Sequence, residues 1–242
     1  MQSINIFSLK ISSESKRTLL IYLSERLSAG KKTVIFTPNT QMLLAANRDP
    51  RICSLLSSST VNIPDGIGVC LAAKIRFGIS LARISGIDLA SDVMKICAER
   101  GYRVFLLGAE SGVAALAAKK LRQDMPDLKI CGTHHGYFEK HGKENEEVIK
   151  KINSSRPDVL FVCFGFPTQE EWISKNAERL ASIKLAIGLG GALDVWSGRS
   201  RRAPVFFQKA GFEWLWRVAL EPHRAKIFLD IPIFLLAACK KE

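Results

Sequence analysis

Short apolar runs alternate with amphipathic stretches along most of the chain. Leu19, Leu20, Tyr22, Leu23 and Leu27 recur at helical spacing over residues 14–28, and Gly30 stands where a C-cap belongs. Lys32-Thr33-Val34-Ile35-Phe36 reads as a buried strand that stops at Thr37-Pro38-Asn39-Thr40, with a helix over 41–47 after it. A short β-type run at 59–62 and a helix leaving Val69 follow. Beyond them the pattern predicts helices over 89–100 and 113–123, strands over 103–107 and 129–133, and a charged, solvated helix over 139–153. A strand over 158–164, a helix opening near Gln169 and a strand over 184–187 complete the series. Polar residues and glycines gather just past the apolar runs. This is the signature of an α/β fold: a Rossmann-like, mostly parallel sheet flanked by helices, with one ligand cleft along its carboxyl edge.

The composition changes at Arg199. Up to residue 198 the chain reads as one α/β catalytic domain; residues 199–242 interleave Arg199, Arg201, Arg202, Lys209, Arg217, Arg224 and Lys226 with Phe206, Phe207, Phe212, Trp214, Trp216 and Phe228. Such a segment can stack on single-stranded nucleic acid, lie as a helical appendage on anionic lipid, or pack as an ordinary helix pair on the sheet. The apolar stretch from Ile227 to Cys239 favours lipid over nucleic acid. It is interrupted by Asp230 and Pro232 and falls short of the ~20 apolar residues of a spanning helix, so it is expected to lie on a membrane without crossing it. The formal net charge of +12 adds an anionic partner to the expectation. The N-terminus lacks a secretion signal, and the six cysteines lack ligand spacing and read as reduced residues, several of them in apolar runs. Both point to a cytoplasmic protein, and the C-terminal segment adds the expectation that it is peripheral at the inner face of the membrane. The apolar tail makes homo-oligomers an expectation too.

Candidate chemistry sits at the turns. In Asn62-Ile63-Pro64-Asp65-Gly66-Ile67-Gly68-Val69 a carboxylate is set between proline and glycine after a short strand, so it is held in a turn and can be aimed. The plainer reading is a tight strand-to-helix connection with an incidental aspartate. Thr37 and Asn39 follow a strand end, where N-capping competes with ligand binding as their role. Gly108-Ala109-Glu110-Ser111-Gly112 offers helix N–H groups to phosphate. It is not G-x-G-x-x-G, however, and the strand after it lacks the ribose-binding carboxylate, which disfavours a nicotinamide cofactor. His134 and His135 point different ways in extended chain and suit a turn or a pocket lining better than a metal. Gln169 stands at a helix start, where it meets a ligand or caps. Asp194 follows the glycine pair Gly190-Gly191. Arg83, between a loop and Ser85-Gly86, either binds phosphate or fixes Asp65.

Taken together, Thr37-Pro38-Asn39, Pro64-Asp65-Gly66, Arg83 to Asp88, Gly132 to Phe138, Gly165 to Glu170 and Gly190 to Asp194 make the chain resemble the WecG/TagA/CpsF family of bacterial glycosyltransferases, from about residue 4 to about residue 230. The resemblance is nearest to its TagA-like N-acetylmannosaminyltransferases of teichoic acid synthesis. It implies a UDP-sugar donor, an undecaprenyl-diphosphate-linked N-acetylglucosamine acceptor, and inversion at the sugar carbon with no metal and no cofactor. The absence of an Asp-x-Asp pair agrees with that. It further implies Asp65 as general base with Thr37 beside it, Asn39, Gln169 and Asp194 in the nucleotide-sugar pocket, and Arg217 and Arg224 closing over the diphosphate from an appendage that docks on the membrane; for Arg83, phosphate binding and the fixing of Asp65 both stay open. The sugar stays open among N-acetylmannosamine, its uronic acid, glucuronic acid and glucose. A basic lipid- or nucleic-acid-binding protein without catalysis is the rival from another class; it explains the charge and leaves the polar strand ends without a task.

Overall fold

The computed structural model describes residues 1–220 and 227–239. Its elements begin with strands β1 (Ser3–Ile6) and β2 (Leu9–Ser12), helix α1 (Lys16–Ser28), β3 (Thr33–Phe36), α2 (Thr40–Arg48), α3 (Pro50–Ser57), β4 (Val61–Asn62) and α4 (Ile67–Phe77). Next come α5 (Gly86–Arg100), β5 (Arg103–Gly108), α6 (Val113–Asp124), β6 (Lys129–His134), α7 (Gly142–Ser155), β7 (Val159–Cys163), α8 (Thr168–Asn176) and β8 (Leu185–Gly188). The last are α9 (Ala192–Trp196), α10 (Val205–Ala210), α11 (Glu213–Leu220) and α12 (Ile227–Cys239). They divide between two compact units.

One unit, Arg17–Phe36 with Gly86–Ser200, holds a mostly parallel, Rossmann-like sheet. Its strands run in the order β3-β8-β7-β5-β6, each parallel to its neighbour. The central strands are near-continuous apolar runs because helices cover the sheet: Val104 to Leu107, Val159 to Val162 and Leu185 to Ile187 are all buried. Helices α5, α6, α7 and α8 pack on these strands. From β5 the chain steps to β6 on one side and then to β7 on the other, so a topological switch point lies between β5 and β7. The strand ends meet closely there. A Cβ on Gly108 would lie 2.3 Å from the carbonyl oxygen of Cys163, and its φ of +142° excludes other residues as well.

The other unit comprises Met1–Lys16, Thr37–Ser85 and the described part of Arg201–Glu242. An antiparallel hairpin of β1 and β2 opens it, a feature the hydrophobic pattern does not announce. Its two-residue turn, Phe7-Ser8, takes positive φ at both positions (50° and 64°), where Asn-Gly is the usual choice. Phe7 meets Phe234 edge to face with ring centroids 5.6 Å apart, a contact that offsets the backbone cost. Helix α12 packs on α2 and α4, and Phe234 is fully buried. The polar interruption of the tail therefore has a tertiary partner: Asp230 accepts from Gln41 Nε2 at 2.7 Å, while Arg76 of α4 donates to the carbonyl of Ala238 at 2.9 Å near the helix end. Helix α3 is also unannounced, although Asp49 caps it and Pro50 opens it. Helix α7 starts at Gly142 and not at 139. Lys140 Nζ bonds the carbonyls of Gly136 and Phe138, and Glu144 accepts from the N–H of Glu139, which holds that stretch as a loop.

Candidate active site

In the second unit, two separated loops converge on the turn Pro64-Asp65-Gly66. The N–H of Asp65 donates to the carbonyl of Pro38 at 3.2 Å, and the N–H of Ile84 donates to the carbonyl of Pro64 at 3.0 Å. The loop of Thr37 and Asn39 is thus fastened to one side of the aspartate and the loop of Arg83 to the other. Gly66, at φ +128°, turns the chain into α4. A Cβ there would lie 3.8 Å from that of Asn39. Thr37 is buried. Asn39 caps α2: its Oδ1 accepts from the N–H of Met42 at 3.1 Å, which is the helix-capping role weighed for it from the sequence.

Arg83 reaches toward the C-terminal segment. Its guanidinium donates to Glu213 Oε2 at 3.1 Å and to the carbonyl of Gln208 at 2.6 Å, and Arg202 Nε donates to the other oxygen of Glu213 at 3.2 Å. The three side chains are largely shielded from solvent, and the two cations offset the desolvation of one carboxylate. Both Arg83 and Asp65 act electrostatically on the Cys70 thiol, which burial pushes up to about 11. Sequence reasoning named neither Glu213 nor Arg202 as a site residue. Arg217 lies on α11, and Arg224 lies outside the described residues.

Gln169 and Asp194 belong to the sheet-bearing unit, at the carboxyl ends of β7 and β8. The loops there are knitted together. Gly136 N–H donates to the carbonyl of Ala109 at 2.7 Å, Ala109 N–H to that of Cys163 at 3.1 Å, and Leu189 N–H to that of Val162 at 2.9 Å. His134 ends β6 and His135 follows it in this rim: His134 Nδ1 is 2.8 Å from the carbonyl of His135, and His135 Nδ1 accepts from the N–H of Tyr137. Gln169 is buried, and its Oε1 accepts from the N–H groups of Gly165 at 3.2 Å and Gly190 at 2.9 Å. It therefore joins the loop after β7 to the loop after β8. Asp194 lies in the first turn of α9, just beyond that second loop.

Next to Gln169 stands Glu170, fully buried, a residue that sequence reasoning quoted within a motif and did not single out. Burial raises its carboxyl to about pKa 7, against a smaller opposing effect from the Gln169 amide. The folded protein thus keeps a proton that the unfolded chain loses at lower pH, so this group's contribution falls as pH rises from the ordinary carboxylate range through 7. Glu170→Gln removes that loss. The variant is expected to gain on the wild type by up to about 3 kcal/mol between about pH 5 and about pH 8, read from denaturant midpoints. Parallel curves for the two proteins would contradict it.

Known proteins match this chain over nearly its whole length. A model of the family described as "Glycosyl transferase WecG/TagA/CpsF family" matches residues 4–242. The chain is 36% identical over 216 residues to the N-acetylglucosaminyldiphosphoundecaprenol N-acetyl-beta-D-mannosaminyltransferase of Bacillus spizizenii, covering 89% of this chain and 82% of that protein. The protein of the same description from Bacillus subtilis is 34% identical over 221 residues, 91% of this chain and 83% of its own. The one from Staphylococcus aureus (strain MRSA252) is 36% identical over 209 residues, 86% and 80%.

Proposed function

The chain belongs to the WecG/TagA/CpsF family of glycosyltransferases, and from that premise we propose that it moves N-acetylmannosamine from a UDP-sugar to undecaprenyl-diphosphate-linked N-acetylglucosamine, with inversion and without a metal ion, in the synthesis of a cell-surface polymer. The observation that carries the assignment of the chemistry is the fastening of Asp65 between the loops of Thr37 and Arg83. An acceptor hydroxyl is a weak nucleophile at neutral pH, so a carboxylate must take its proton as the bond to the anomeric carbon forms. Asp65 is that base. The departing UDP gains negative charge, and Arg217 and Arg224 supply the compensating positive charge. Asn39, Gln169 and Asp194 serve the nucleotide-sugar, Asn39 and Gln169 through the backbone they hold, and Arg83 serves the substrate diphosphate once released from Glu213.

Residues 199–242 act as an appendage that brings the enzyme to the anionic inner face of the membrane, where the acceptor's diphosphate is presented. Support comes from the exposed apolar side chains of this segment, Phe206 at 75% and Leu236 at 71% among them, set among its basic residues. No helix among the described residues is long and apolar enough to cross a membrane.

UDP is expected to stabilise the protein against heat, by about 2.7 kcal/mol at a hundredfold excess over its dissociation constant. A calorimetric scan with and without UDP reads this directly, and an unshifted transition at saturating UDP would contradict a nucleotide-sugar site. A panel of UDP-sugars in the same scan ranks the candidate donors.

A further inference from the structure

Glu170 takes no part in the chemistry above. Its Oε1 accepts from Gln169 Nε2 at 2.9 Å, and its Oε2 has no hydrogen-bond partner among the described residues. The Gln169 amide is consequently held at three points, since its Oε1 takes the N–H groups of Gly165 and Gly190 while its nitrogen faces Glu170. Gly188 closes the fourth side: a Cβ there would stand 3.0 Å from Nε2 and 3.2 Å from Cδ, so the amide lies flat against backbone at the end of β8.

We propose that Glu170 is a positioning residue for the nucleotide-sugar site: through Gln169 it sets the Gly190-Gly191 turn, and with it Asp194, at the carboxyl end of β8. The inference rests on the function proposed above, in which Asp194 meets the donor. Its physical basis is the asymmetry of a buried amide. Once the oxygen accepts two backbone N–H groups, the NH2 must face an acceptor, and an apolar side chain at position 170 leaves it buried without one. Gln169 then relieves the cost by swinging away, which releases the N–H of Gly190. The role needs an acceptor and not a charge, in keeping with a carboxyl whose burial favours the neutral form.

The test compares Glu170→Leu and Glu170→Gln in the full-length chain by two readouts, hydrogen exchange at the Gly190 amide and the kinetics of transfer. Glu170→Leu is expected to lose about tenfold or more of the protection at Gly190 and to raise the donor KM about fivefold to tenfold, with kcat within about twofold. Glu170→Gln, which keeps a carbonyl facing Gln169 Nε2, is expected to match the wild type on both. Glu170→Met carries the same expectation as leucine should leucine unfold the protein. Wild-type protection and KM in the apolar variants would overturn the proposal, as would a glutamine variant as impaired as leucine. A wild type that neither binds UDP nor transfers sugar would overturn the function on which it rests; the exchange at Gly190 reads the tether separately.

Discussion

Asparagine at position 65 lowers sugar transfer by ~10²-fold or more and leaves the fold and UDP binding nearly intact. The turn that holds this residue is fastened through backbone groups, the N–H of Asp65 on Pro38 and the carbonyl of Pro64 on Ile84, and both survive the exchange of one carboxylate oxygen for an amide nitrogen. What the substitution removes is the ability to accept a proton as the acceptor oxygen attacks. The loss therefore falls on kcat, and donor binding, measured calorimetrically with UDP, is expected to stay within about twofold of the wild type. Turnover like that of the wild type would remove Asp65 from the role of base.

The second large effect is expected at the appendage. Arg217→Ala with Arg224→Ala lowers transfer by about 10²-fold to 10⁴-fold, from about one to two powers of ten for each charge-assisted contact to the diphosphate. Deleting residues 199–242 is expected to abolish both transfer and attachment to anionic vesicles, but the deletion also takes the buried Phe234 and the carboxylate of Glu213 away from the unit that carries Asp65. It thus mixes loss of chemistry with loss of fold. The paired arginine substitutions separate the two, because they leave the apolar face of α12 in place. They are checked by transfer kinetics beside a vesicle pull-down and a thermal scan. Full activity in the double variant with an unchanged melting temperature would remove the arginines from the diphosphate.

The sheet was legible because burial on both faces writes itself into unbroken apolar runs, as in Val159 to Val162, while the glycine and polar clusters mark the turns at their carboxyl ends. The hairpin of β1 and β2 was hidden because Phe7-Ser8 carries no turn signal; a tertiary contact to Phe234, far along the chain, holds it. The convergence on Asp65 could be read as three motifs but not as one place, since backbone hydrogen bonds between distant loops create it. Arg83 and Glu213 are 130 residues apart, and nothing local to either announces the pair. Glu170 presents the opposite difficulty. An acidic residue in a helix's first turn is ordinary for an exposed helix end, and only its burial beside Gln169 distinguishes it.

The most direct measurement is the mass of the product formed by the purified full-length chain from UDP-N-acetylmannosamine and a short-chain polyprenyl-diphosphate N-acetylglucosamine, in the presence of a strong chelator. The account predicts the addition of one N-acetylhexosamine at a rate that the chelator does not change. Product that forms only when a divalent ion is restored, or no product from any UDP-sugar of the panel, would contradict it.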